Sequence, residues 1–196
     1  MTICYAGIGS RKTPEESLEQ IRVIAYVLAQ SGFVLRSGGA KGADTAFERG
    51  CDLAGGEKQI FLPWNGFEGK KSSDKGIYSK ISPLALEMAS KIHPTWNRLS
   101  QGAQKLHARN CHQILGPDLE TPVHFVVCWT PGTGGTEQAL RLARQRAIPI
   151  INLAKVKGET TLLSVFRTIG GPIMNSRPAW MEVGDENWDN VLIQKD

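Results

Sequence analysis

The chain reads as an α/β protein: one doubly wound, mainly parallel sheet of about five strands, with an inserted helical and loop segment and a short C-terminal extension. Three observations lead there. Short β-branched runs alternate with stretches of helical periodicity, which is the pattern of right-handed βαβ units. Glycines gather where three of those runs end, at Gly7/Gly9, Gly38/Gly39/Gly42 and Gly132/Gly134/Gly135, so eight of the 21 glycines are expected along one edge of the sheet. The 196 residues, 41% hydrophobic and 21% charged, fit one soluble domain with a substantial core. That domain is expected to span 1–196, with the insertion at 63–97 and the extension at 172–196.

The elements follow in order. Ile3–Ala6 is a strand running into Gly7-Ile-Gly-Ser-Arg11. Thr13-Pro-Glu-Glu16 supplies an N-cap, a proline at the first helical position and a capping-box glutamate. Leu18, Ile21, Ile24, Ala25 and Leu28 then share a helical face, and Gly32 ends the helix. Phe33–Arg36 is the second strand, leading through Ser37-Gly-Gly-Ala-Lys-Gly42 to a helix over Asp44–Ala54. Gln59–Leu62 is the third strand, stopped by Pro63. Periodicity is lost from Trp64 to Ser82, a polar loop rich in Gly, Ser and Lys. Ser82-Pro83 restarts a helix to about Lys91, and a longer one spans about Asn97–Leu115. His124–Trp129 is a buried strand running into Pro131-Gly-Thr-Gly-Gly-Thr136, followed by a helix over about Glu137–Arg146. Ile148–Leu153 is the fifth strand, and a helix is expected over about Thr160–Ile169. The tail, with Trp180 and Trp188, is expected to form a short hairpin or meander.

Several classes of function are disfavoured. No apolar run approaches the ~18 residues of a membrane span. Met1-Thr-Ile-Cys-Tyr5 lacks the basic region of a secretory signal. Cys4, Cys51, Cys111 and Cys128 are scattered, with no CxxC pair, so a reducing cytoplasm is expected. The net charge of +4 permits an anionic ligand without announcing nucleic acid. His93, His107, His112 and His124 lack the spaced pairs of a zinc site, although His107 and Cys111 share a helical face; no metal and no cofactor are expected. The absence of GxSxG disfavours a hydrolase elbow.

In a parallel sheet, ligands bind outside the carboxyl ends of the strands, where strand order switches. Glycine-rich turns there let backbone amides approach a ligand, and the helix that follows aims its positive end at the turn. Phosphate is the natural guest. One such loop alone is better explained by turn geometry; three convergent loops reverse that preference. The candidate binding residues are Gly9, Ser10 and Arg11, then Ser37, Gly38, Gly39 and Lys41, then Gly132, Thr133, Gly134, Gly135 and Thr136. Arg11 offers a planar fork and Lys41 a point charge. GxGxxG and the GxxxxGK[ST] loop are both absent, which disfavours routine NAD-dependent hydride transfer and ATP hydrolysis.

Asp44 has three readings: holding a ribose hydroxyl, acting as acid or base, or capping the helix that begins there. Glu137, in a helical first turn, is the other candidate catalytic carboxylate, where a negative charge is favourable in any case. Trp129 ends a strand beside the third glycine loop, and Trp64 and Trp96 flank the insertion; each is a core residue by default and a base platform by alternative. Lys70, Lys71, Lys75 and Lys80 make the insertion basic, with a solvated loop as the default reading.

Ile8-Gly-Ser-Arg11 and Ser37-Gly-Gly-Ala-Lys-Gly-Ala-Asp-Thr-Ala46 resemble the Rossmann-like domain of DNA-processing protein A (DprA), a member of the SLOG superfamily together with the lonely-guy enzymes. Arg109-Asn110 is similar to an arginine-asparagine pair of DprA, and Pro131–Thr136 stands where the superfamily has its second glycine motif. The resemblance spans about Ile3–Leu153. It implies a Rossmann-like nucleotide or nucleic-acid site in these loops, Arg109 as a ligand arginine, and a homodimer or higher homo-oligomer. The lonely-guy motif PGGxGTxxE puts a glutamate three residues after its threonine; Ala139 stands there here, and Glu137 follows Thr136 directly. The expected function is therefore binding of a nucleotide-derived phosphorylated ligand, as sensor or sponge of a nucleotide second messenger. The alternatives are a nucleotide N-glycosidase using Glu137 or Asp44, and DprA-like binding of single-stranded DNA.

Overall fold

A computed structural model of the chain describes residues 2–155. The helix expected over 160–169 and the extension with Trp180 and Trp188 lie outside the described residues.

The strands are β1 (Cys4–Gly9), β2 (Val34–Ser37), β3 (Lys58–Phe61), β4 (Ile77–Tyr78), β5 (Phe125–Trp129) and β6 (Ile150–Asn152). They form one sheet in the order β4-β3-β2-β1-β5-β6, and every neighbouring pair is parallel. The chain builds outward from β1 in one direction, then returns to lay β5 on its other side. The order of strands thus switches between β1 and β5, where a crevice opens at the carboxyl ends.

Helices cover both faces, as parallel strands require. On one face lie α1 (Glu15–Gln30) and α2 (Ala43–Leu53), whose Phe47 joins Tyr5, Leu35, Ile60, Phe125 and Val127 in one core. On the other lie α3 (Pro83–Ile92), α4 (Gln101–Leu115) and α5 (Gly135–Gln145), over Ala6, Ile8, Val34, Val126 and Cys128. Tyr5 against Ala6 and Val127 against Val126 show the period-two division of side chains between the two cores. The rings of Tyr5 and Phe125 stack at 5.5 Å in the first of them.

Four local features depart from the sequence reading. Residues 63–97 carry a sixth strand: Ile77 and Tyr78 pair with Ile60 and Phe61, and the Leu62 amide donates to the Tyr78 carbonyl at 2.7 Å. Gly7 lies within β1 rather than in a loop; a Cβ there would stand 2.6 Å from the Phe47 ring, so this glycine makes room for a core side chain. The capping box at Thr13 does not form, because its hydroxyl donates to the Ser10 carbonyl (2.8 Å) and α1 starts after Pro14 without a side-chain cap. The long helix begins at Gln101 rather than Asn97, after a 3-10 turn at Trp96–Arg98, with Ser100 Oγ accepting from the Ala103 amide. Ser82 does cap α3, accepting from the Ala85 amide at 3.1 Å.

Candidate functional site

Three loops follow β1, β2 and β5, and each leads toward a helix. The first two touch: a Cβ on Gly42 (φ +84°) would stand 2.6 Å from the Ser10 carbonyl oxygen, and the Ala43 amide donates to that oxygen. Only a residue without a side chain lets the second loop pass this close to the first. No side chain caps α2 or α5, whose N-caps are Gly42 and Gly134. The amides of Gly39, Lys41 and Gly42, and those of Gly134, Gly135 and Thr136, find no acceptor among the described residues. Two positive helix ends therefore approach the crevice with donors unspent.

Beneath the loops runs a buried polar network. Asp44, in the first turn of α2, accepts from the Gly9 amide (3.1 Å) and the Ala40 amide (3.4 Å), tying the first loop to the second. Arg109 on α4 pairs with it, Nη1 to Oδ2 at 3.4 Å. With the Gln113 amide turned so that its oxygen faces the guanidinium, that oxygen accepts from Arg109 Nη1 (3.1 Å) and from the Gly38 amide (2.8 Å). In the same orientation Gln113 donates to Asn110 (2.8 Å). Asn110 in turn donates to the Gly135 carbonyl (3.1 Å) and to Gln138 Oε1 (3.2 Å), reaching the third loop and α5. Asp44, Arg109, Asn110, Gln113 and Gln138 are all buried. Such networks define geometry when their members are satisfied. Among the described residues, Arg109 Nε still lacks a partner.

Electrostatics follow from that burial. Desolvation pushes the Asp44 carboxyl above its ordinary range, against the pull of Arg109 and the two amides. Desolvation likewise lowers Arg109, against the attraction of Asp44. Each charge is held mainly by the other. Above them lies a cleft of ≈ 150 Å³, lined by Gly9, Arg11, Asp44, Arg109, Asn110 and Thr136 among others.

The candidates read from the sequence separate into groups. Gly9, Arg11, Asp44, Arg109 and Thr136 meet in the cleft. Ser37 is fully buried and donates its hydroxyl to the Gly7 carbonyl (2.7 Å), while Gly38 lies against Arg109. Lys41 is exposed at the rim, 3.7 Å from Glu68. Ser10 Oγ accepts from the Lys12 amide. Gly132, Thr133 and Gly134 form the exposed third loop, which Thr130 and Asn152 brace from beneath, and exposed Gly135 opens α5. Glu137 pairs with Arg144 (2.5 Å) and does not line the cleft. Trp96 and Trp129 pack against the cores, whereas Trp64 is exposed. Lys70 is held by Glu48 at 2.9 Å; Lys71, Lys75 and Lys80 are exposed.

Gln113 and Gln138 escaped the sequence reading. The signal was Leu106, Arg109, Asn110 and Gln113, a half-polar stripe at i, i+3, i+4 and i+7 on a helix that must cover a sheet. Among the described residues, no group of three or more His, Cys, Asp or Glu is placed to hold a metal ion, and no helix is long and apolar enough to cross a membrane. All four cysteines are buried free thiols.

No protein-family model matches the chain, and neither does any curated protein. Among solved structures it is similar to DNA processing protein A of Helicobacter pylori, described for its single-stranded DNA binding mode. That match has a TM-score of 0.50 at 15% identity and covers 98% of this chain and 80% of that one. DprA of Streptococcus pneumoniae gives 0.49 at 14% identity, covering 100% of this chain and 62% of that one. The molybdenum cofactor carrier protein of Chlamydomonas reinhardtii gives 0.49 at 16%, covering 79% and 77%. At these identities the likeness is one of fold: a Rossmann-like parallel sheet similar to that of DprA.

Proposed function

We propose that the chain binds a phosphorylated, ribose-bearing ligand derived from a nucleotide at the carboxyl edge of its sheet, and holds it without converting it. The observation that carries this reading is the Arg109 guanidinium, buried yet lining the cleft, with unspent backbone donors of two uncapped helices near it. A phosphate would meet a preplaced cation and amides there, at little cost of reorganisation. A space of ≈ 150 Å³ suits a phosphate or a sugar ring, leaving the rest of a nucleotide over the rim. Holding is favoured over turnover because both Asp44 oxygens already accept from backbone amides and Glu137 is engaged by Arg144. A receptor or sponge for a nucleotide messenger is a role that such binding fits.

The test is calorimetry and thermal shift with a nucleotide panel against wild type, Arg11→Ala and Lys41→Ala. Lys41 is exposed, so its removal leaves stability unchanged while weakening binding about tenfold, the size of one charge-assisted hydrogen bond. A panel in which no nucleotide stabilises the wild type more than the variants defeats the proposal.

A second reading, binding of single-stranded DNA, draws on the exposed Lys71, Lys75 and Lys80 and on the fold shared with Helicobacter pylori DprA. It requires an affinity that falls steeply with salt and drops on lysine-to-glutamine substitution. A flat salt response removes it.

A further inference from the structure

Among the described residues, four large apolar side chains are exposed, and one of them, Trp64 at 40%, stands beside the candidate site. It follows Pro63 at the end of β3, and two sets of contacts fix it there. Its ring meets that of Phe67 edge to face, with centroids 5.2 Å apart at 90°. Phe67 is itself buried, and the Arg11 guanidinium lies over its ring at 5.9 Å. Trp64 also reaches α4, where its ring edge would be 4.0 Å from a Cβ on Gly102. One turn further along that helix, Leu106 lines the cleft, as Arg11 does.

The exposed indole is therefore continuous with the cleft along two paths, through Phe67 to Arg11 and through α4 to Leu106. The turn that carries it is anchored. The Gly66 amide donates to the Lys70 carbonyl (2.9 Å), and the Lys70 ammonium pairs with Glu48 (2.9 Å) on α2. Core packing does not explain an indole left so open on a braced turn, one ring away from the Arg11 guanidinium. A flat apolar surface next to an anion site matches a molecule that joins a heteroaromatic ring to a phosphate.

We propose that Trp64 is a stacking platform for the heteroaromatic base of the ligand whose phosphate or sugar enters the cleft. The subsite rests on the reading of the cleft as a phosphate site. It adds the part of the ligand that this reading leaves undefined. The same chemistry is presented by a free nucleotide and by a base of a single strand.

The test compares wild type, Trp64→Ala and Trp64→Phe by calorimetry with AMP, UMP, ribose 5-phosphate and a short oligodeoxythymidine. Wild type is expected to bind nucleotides more tightly than ribose 5-phosphate. Trp64→Ala removes that advantage, a loss of roughly 5- to 150-fold for one stacked base, and leaves ribose 5-phosphate affinity unchanged. Trp64→Phe restores most of it. AMP quenches tryptophan fluorescence in wild type and far less in Trp64→Phe. Loss seen with mononucleotides supports a free nucleotide as occupant, and loss seen with the oligonucleotide alone supports a strand. A Trp64→Ala variant that weakens neither the mononucleotides nor the oligonucleotide, or that weakens ribose 5-phosphate as much as either, overturns the platform and leaves the phosphate site standing. Wild type that binds none of the four probes overturns both.

Discussion

Gly38 and Arg109 occupy one another's space: a Cβ on Gly38 would stand 1.1 Å from the guanidinium Nη1. The glycine at the end of β2 is there because an arginine from α4 crosses the sheet edge above it. That arginine reaches Asp44 only through the gap.

Gly38→Ala is expected to displace the guanidinium and destabilise the fold. Overpacking costs about 1–3 kcal/mol, and losing the contact to Asp44 adds to it. Urea denaturation of this variant beside wild type measures the loss. An unchanged midpoint would show that Arg109 swings aside freely.

Arg109→Met leaves the Asp44 carboxylate buried without its partner. Breaking a buried pair in this way costs about 3–5 kcal/mol. Adding Asp44→Asn removes the stranded charge and keeps an oxygen to accept from Gly9 or Ala40. The double variant is expected to be more stable than Arg109→Met alone; a double variant that is weaker still contradicts the pair's role.

Stability should fall on mild acidification. Burial lowers His107 and His112 below the ordinary histidine range. The His112 ring bonds to the Gly116 carbonyl (3.0 Å), stacks on Phe61, and has a buried Nε2 without a partner among the described residues. Between their lowered folded values and the unfolded value of about 6.5, the unfolded chain binds more protons, so stability is lost as pH drops through that window. Asp44, raised in the folded state, has the opposite sign: its contribution falls as pH rises from the unfolded carboxylate value toward the folded one. Denaturation midpoints at a series of pH values should slope downward toward acid, and His112→Asn should reduce that slope. A flat profile in wild type refutes it.

Tyr5 is fully buried and its hydroxyl finds no partner among the described residues. Removing an unsatisfied buried polar group recovers about 1–3 kcal/mol of desolvation. Tyr5→Phe should thus keep the ring stack on Phe125 and raise the thermal midpoint. A lower midpoint would reveal a hydrogen bond to that oxygen.

The alternation of strand and helix was legible in the sequence because parallel strands buried on both faces are continuous apolar runs. The edge strand β4 was not. Two residues in a polar segment carry no periodicity, and Ile77 and Tyr78 are strand only because Ile60 and Phe61 offer an unpaired edge. The capping box at Thr13 failed for a similar reason: a tertiary turn took the hydroxyl first. At the site, the glycine loops were visible as composition. Their connection was not, since a lone arginine on a helix is solvated by default and burial is a property of the assembled layers. Glu137 shows the limit from the other side: one position in a helical turn decides between a cleft and an ion pair with Arg144.

The network from Asp44 through Arg109, Gln113 and Asn110 to Gly135 has a consequence for how such a protein can change. Its members hold the three loops and the fold at once, so few substitutions there alter one without the other. The exposed Trp64 side chain and the exposed residues 131–134 carry no such double duty. A change in what the cleft accepts is therefore cheapest at the rim, over a floor whose substitution would cost stability.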